Sequence, residues 1–144
     1  HVTAFTSSEG KDNLLLSMGA DDVVSSVDKD AIRSYGSKFD FLISTVNVKL
    51  DWNLFLSIIR PRGRLHFVGA VLDPIDASVF SLMGGRRSIS GSPVGSPKNI
   101  KKMLAFCSKH DIYPEVEHFK FKNINEAIKK VRENKVRFRA VLSW

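Results

Sequence analysis

Four side chains near the amino end of the sequence are of the types that hold a phosphate. Thr6, Ser7 and Ser8 close a short β-rich run that begins His1-Val2-Thr3-Ala4-Phe5, and Lys11 follows in the next turn. Hydroxyls donate to phosphate oxygens, and an ammonium adds charge complementarity. Nucleotide-binding α/β units that select an unphosphorylated ribose place Asp or Glu at this point, and an acid there repels a 2′-phosphate. Glu9 lies within the same turn. From these residues alone, an ordinary Ser-rich helix cap with a solvent-facing Lys is the plainer reading.

Three further places have chemical content. Thr45 and Val46 stand at the carboxyl end of the apolar run Phe39–Val46, the end at which open α/β sheets take ligands. Gly69 ends the next apolar run, where a missing side chain lets the backbone approach a ligand or adopt a positive φ. Ser92, Pro93 and Val94 sit in a G-S-P-V-G-S string which, taken alone, is a flexible loop bent at Gly91 and Gly95. Cys107 is expected on an amphipathic helix as a buried, inert thiol. His1, His66, His110 and His118 lack metal-ligand spacing, and His66, inside a strand, reads as a packed or edge histidine. No catalytic residue and no metal site is assigned.

The elements that must position these residues alternate. Strands are expected at Val2–Phe5, Asp21–Val24, Phe39–Val46, Arg64–Val68, Ser88–Gly91 and Val136–Leu142. Helices are expected over Glu9–Met18, Lys29–Tyr35 and Asp51–Arg60, the last ended by Pro61-Arg62-Gly63. Asp73–Gly85 is irregular or loosely helical. Ser96 caps a helix with Pro97 in its first turn, burying Ile100, Met103, Leu104 and Phe106 or Cys107. Asn123 or Asn125 caps another holding Ala127, Ile128 and Val131. The continuous apolar run Phe39–Val46 suits a strand covered on both faces. Alternation of this kind implies an α/β fold with a parallel sheet and helices on both faces.

Composition narrows the class. The 144 residues and 43% hydrophobic content suit one domain with a core. No run approaches the roughly 18 apolar residues that cross a bilayer, so no membrane partner is expected. One Cys excludes an internal disulfide and suggests a reducing, cytoplasmic setting. The net charge of +7 raises the question of nucleic acid. The basic residues between Lys98 and Arg137 are interrupted by Asp111, Glu115, Glu117, Glu126 and Glu133, and aromatics do not interleave with them. They read as solvated faces, and no specific nucleic-acid binding is expected.

With these residues in view, the chain resembles the cofactor domain of zinc-containing, medium-chain alcohol dehydrogenases, in their cinnamyl-alcohol-dehydrogenase-like branch. The resemblance is carried by His1–Ser8 with Gly19-Ala20-Asp21-Asp22, by Phe41–Val46, by Leu56–Gly69 around Arg60-Pro61-Arg62-Gly63, and most distinctively by Gly85–Ser96. Val136–Leu142 looks like the family's final strand. The resemblance implies a Rossmann-type sheet that binds NADP, with Thr6, Ser7, Ser8 and Lys11 at the 2′-phosphate. Gly10 stands where relatives often carry a second Lys. It also implies that Thr45, Val46 and Gly69 lie against the cofactor, and that Ser92, Pro93 and Val94 flank the nicotinamide. Aldehydes would be reduced, or alcohols oxidised, at a zinc held by a preceding domain, and the enzyme would be a homodimer.

No G-x-G-x-x-G occurs, so the expectation is a Rossmann-type domain over residues 1–144 lacking its first βα unit, with 136–144 closing back toward an absent catalytic domain. In the order 3-2-1-4-5-6 the missing strand is central. That would leave two open edges and predicts rearrangement, strand exchange between subunits, or retention of the missing piece. Without the glycine turn, cofactor affinity should be poor and the chain alone inactive. The alternative is a non-catalytic α/β assembly module, paired through an edge strand at Ser88–Gly91.

Overall fold

The structure, a computed structural model, describes residues 1–133 and 135–144. Packing divides the chain into two compact units, His1–Pro93 and Val94–Trp144. In the first unit β1 (Thr3–Thr6), α1 (Asp12–Ser17), β2 (Asp22–Ser25), α2 (Lys29–Ser34), β3 (Phe39–Ser44) and α3 (Trp52–Ser57) alternate. β4 (Ile59–Phe67), α4 (Val79–Met83) and β5 (Ser88–Gly91) follow. The second unit contains α5 (Pro97–Lys109), β6 (Val116–Lys120), α6 (Ile124–Arg132) and β7 (Arg139–Ser143). Every strand pairing is parallel: β1 with β2, β4 between β3 and β5, and β6 with β7.

Local chemistry sets the helix starts. Asp28 accepts from the backbone N–H groups of Asp30 and Ala31 at 3.0 and 2.9 Å, and Asp51 accepts from that of Leu54 at 3.1 Å. Ser96 accepts from Asn99 N–H at 3.3 Å with Pro97 at the head of α5, as expected. α3 supplies most of the core. Trp52, Leu54, Phe55 and Leu56 are buried there, with Ile58, Ile59, Leu65, Ile32 and Val24 around them. Trp52 meets Phe67 edge-on, ring centres 4.7 Å apart.

The sheet of β3, β4 and β5 has two unlike faces. Leu42, Ser44, Leu65, Phe67 and Ile89 fall on the core side. Phe41, Ile43, Arg64, His66, Ser88 and Ser90 fall on the other, where Phe41 and Ile43 are about half exposed within this unit. β3 is therefore only half covered on its second face, unlike the doubly covered strand its apolar run suggests, because Phe41 and Ile43 have as neighbours there the hydroxyls, imidazole and guanidinium of β4 and β5 rather than apolar partners.

Other differences have local causes. α3 stops at Ser57, and Pro61-Arg62-Gly63 lies inside β4 rather than ending the helix. The chain negotiates that stretch with Arg62 at φ +66° and a register shift opposite Phe39–Phe41. Gly63 fits there because a Cβ would lie 2.8 Å from the Asp40 carbonyl oxygen. β6 has little signature in the sequence: of Val-Glu-His-Phe-Lys only Phe119 is buried, so the period-two signal is weak. In α5, Ile100, Met103, Leu104 and Phe106 are exposed rather than buried, and no residue of that helix is buried. Of the α6 residues expected inside, Ala127 is buried, whereas Ile128 and Val131 are exposed. The open edges do not rearrange into one sheet. Among the described residues β1 pairs with β2 alone, and Phe5 bridges toward β3 and α3 by edge-on contacts with Phe39 and Phe55, each at 5.7 Å.

Candidate functional site

Strand register brings the candidate residues to strand ends. Ser44, Phe67 and Gly91 pair across β3, β4 and β5. Thr45, Gly69 and Ser92 therefore all leave the sheet at its carboxyl edge. Thr6 ends β1 opposite Ser25 of β2. This is the edge at which open parallel sheets bind ligands.

At the end of β1 lies a cavity of about 340 Å³ lined by Thr6, Ser7, Ser8, Glu9, Gly10 and Asp12, with Val23, Ser25 and Val27 opposite. The turn is shaped by Ser8 N–H donating to Thr6 Oγ1 at 3.1 Å, and Ser26 N–H donates to the Thr6 carbonyl at 2.8 Å. Gly10 has φ +73°, a left-handed backbone that a Lys side chain would strain. That is a physical reason for glycine at this position. Lys11 begins α1 without capping it and is absent from the cavity lining. The wall thus combines four hydroxyls suited to a phosphate, those of Thr6, Ser7, Ser8 and Ser25, with two carboxylates that oppose one. Ser25 and the two valines were not singled out in the sequence; the signal that finds them is β1–β2 pairing, which long-range contact alone supplies.

The second group is tightly built. Val68 and Gly69 N–H both donate to the Ser44 carbonyl, at 2.9 and 3.1 Å. A Cβ on Gly69 would lie 2.6 Å from the Thr45 carbonyl carbon and 2.7 Å from its oxygen. The glycine is required by the protein's own backbone, and its φ is not in the positive range. Thr45 is exposed, and Val46 packs toward the core.

Ser92, Pro93 and Val94 are exposed; Val94 begins the second unit. Gly91 and Gly95 have no positive φ, so they are not the loop's obligatory bends. Gly91 completes β5 instead. Ser92 N–H donates to the Phe67 carbonyl at 3.1 Å. His66, read in sequence as merely packed, holds Ser90 Oγ at 2.8 Å from Nδ1 and Ser92 Oγ at 3.0 Å from Nε2.

Cys107 is half-buried, with Sγ 3.7 Å from Met103 Sδ. His1 pairs with Asp22 at 3.0 Å. Among the described residues, no three His, Cys, Asp or Glu side chains converge as a metal site requires.

Residues 1–109 match the family model described as zinc-binding dehydrogenase. The chain belongs to that family. The likeness read from its sequence, to the cofactor domain of zinc-containing alcohol dehydrogenases of the cinnamyl-alcohol-dehydrogenase-like branch, extends along essentially the whole chain. An aldehyde reductase of Synechocystis is 52% identical over 99% of this zinc-binding dehydrogenase chain and 42% of its own length. An aldehyde reductase of Escherichia coli is 34% identical over 99% of the chain and 41% of its own. The chain thus spans about two fifths of the curated relatives it matches. In structure it is similar to a cinnamyl alcohol dehydrogenase of Sorghum bicolor (TM-score 0.92, 29% identity, 98% of this chain and 40% of that one). It is also similar to a Helicobacter pylori cinnamyl alcohol dehydrogenase complexed with NADP(H) (TM-score 0.81, 30% identity, 99% and 40%). The fold is the α/β, Rossmann-like arrangement of these alcohol dehydrogenases.

Proposed function

We propose that this chain is the cofactor-binding part of an NADP-dependent, zinc-type alcohol dehydrogenase or aldehyde reductase, and that alone it turns over no aldehyde. The observation that carries the reading is the cavity at the end of β1, walled by Thr6, Ser7 and Ser8. Those hydroxyls, with Lys11 in the adjoining turn, would hold the 2′-phosphate. Thr45, Val46 and Gly69 would form the ribose wall, and Ser92, Pro93 and Val94 would flank the nicotinamide. When bound, NADPH supplies the hydride that reduces an aldehyde. The chain's own work is to bind and orient: hydroxyl donors select the phosphorylated ribose, and the locked Thr45–Gly69 backbone fixes the floor beneath it. The residues present do not fit a zinc ion, because no ligand cluster exists among those described; no step through the metal is assigned to them.

Steady-state kinetics on the complete polypeptide carrying this chain, with an aromatic aldehyde, test the reading. Higher kcat/KM with NADPH than with NADH is expected, and the reverse order defeats it.

The place of β5 at the outer edge of its sheet favours a second reading alongside the first, the homodimer. Sedimentation of the complete polypeptide should give twice its chain mass, and a monomer at micromolar concentration contradicts pairing. The cytoplasm remains the compartment we propose for the enzyme.

A further inference from the structure

On the outer face of the β3–β4–β5 sheet, side chains of β4 and β5 pair in a ladder. Arg64 Nε donates to Ser88 Oγ at 3.3 Å, and two residues on, at the next pair on the same face, His66 Nδ1 meets Ser90 Oγ at 2.8 Å. His66 then reaches past the end of β5, where its Nε2 lies 3.0 Å from Ser92 Oγ. The imidazole also stacks on Phe41, ring centres 5.8 Å apart and planes 26° from parallel. Both ring nitrogens are thus engaged and one ring face is covered, so the side chain has little freedom to turn.

The partners suit the ring. Neutral imidazole has one N–H donor and one bare acceptor nitrogen, while a hydroxyl can donate or accept. Either tautomer therefore satisfies both contacts: one serine accepts from the N–H, and the other donates to the bare nitrogen. Ser92 is exposed, and among the described residues its other hydrogen bond runs from its N–H to the Phe67 carbonyl. A phenyl or aliphatic side chain at position 66 would leave the hydroxyl of Ser92 to water.

We propose that His66 is a positioning residue: by holding Ser92 from a rigid strand, it sets the conformation of the Ser92–Pro93 exit that receives the nicotinamide end of the cofactor. The inference rests on the reading of Ser92–Val94 given under Proposed function. His66 itself touches no reacting atom. Its effect is confined to the nicotinamide half of the cofactor, since its partners are Phe41 on β3, Ser90 on β5 and Ser92 just beyond it, and none of them lines the cavity at the end of β1.

The test uses the complete polypeptide with His66→Phe, which keeps an aromatic ring against Phe41 and removes both hydrogen bonds, and Ser92→Ala, a change at an exposed position that leaves the core untouched. Two probes are titrated into each: NADPH, and an adenosine bisphosphate that carries the 2′-phosphate but no nicotinamide. Both variants should weaken NADPH binding about three- to tenfold, the size expected for one lost hydrogen bond. They should leave binding of the adenosine bisphosphate unchanged, and the double variant should be no worse than the weaker single. Equal weakening of both probes marks a merely structural role and overturns the proposal. So does unchanged NADPH binding in Ser92→Ala. If the wild-type protein binds the bisphosphate and not NADPH, or binds neither, the functional reading itself fails and takes the proposal with it.

Discussion

Glu9 and Gly69 have opposite kinds of influence on the site. Glu9 lines the same cavity as Thr6, Ser7 and Ser8, so its carboxylate opposes any phosphate that enters. At an exposed turn such repulsion is worth a few tenths to about 1 kcal/mol. Glu9→Gln is expected to lower KM for NADPH about two- to fivefold while leaving NADH nearly unchanged, a comparison that initial-rate kinetics makes directly. Gly69 acts through shape. Its missing Cβ is space already claimed by the Thr45 carbonyl group, so Gly69→Ala must push the ends of β3 and β4 apart. A destabilisation of about 1–3 kcal/mol is expected from such overpacking, measured as a lower urea midpoint at unchanged slope. An unchanged midpoint would mean the two strand ends are not rigidly set.

Among the elements, α3 carries the most weight. It is six residues long, yet four of its side chains are buried, and it begins where Asp51 accepts the Leu54 N–H. A helix this short depends on its cap and its packing rather than on propensity. Asp51→Ala should cost about 1 kcal/mol, read by thermal melting, and α3 should be the helix whose amide exchange speeds up most. How much of this could be read beforehand varies by element. β5 was legible to the residue, because turn residues bracket a short β-rich run. Ser96-Pro97 marked the start of α5 for an equally local reason. What escaped was set at a distance. The passage of Pro61-Arg62-Gly63 into β4 depends on a register shift against β3. β6 exists because β7 pairs with it. The half-exposed Phe41 and Ile43 show that apolar composition does not tell how many faces of a strand are covered. Of the candidate site, the hydroxyl turn, Thr45, Gly69 and Ser92 were visible as residue types at strand ends. The role of His66 was not, because its two serine partners lie 24 and 26 residues away.

For the molecule as a whole, one physical statement joins these parts: parallel strands deliver hydroxyls, a close-packed glycine and a pinned serine to the carboxyl edges of two sheets. Family membership places the chain among zinc-binding dehydrogenases, and the coenzyme choice we propose for it would follow from electrostatics at a single turn. The most direct test is a comparison of dissociation constants for NADP and NAD on the complete polypeptide, before and after Lys11→Ala. The account predicts tighter binding of NADP by at least about tenfold, the effect of roughly 1.4 kcal/mol from charge-assisted contacts to the 2′-phosphate, with part of that advantage lost in the variant and the rest kept by the hydroxyls of Thr6, Ser7 and Ser8. Equal affinities, or a preference for NAD, would contradict it.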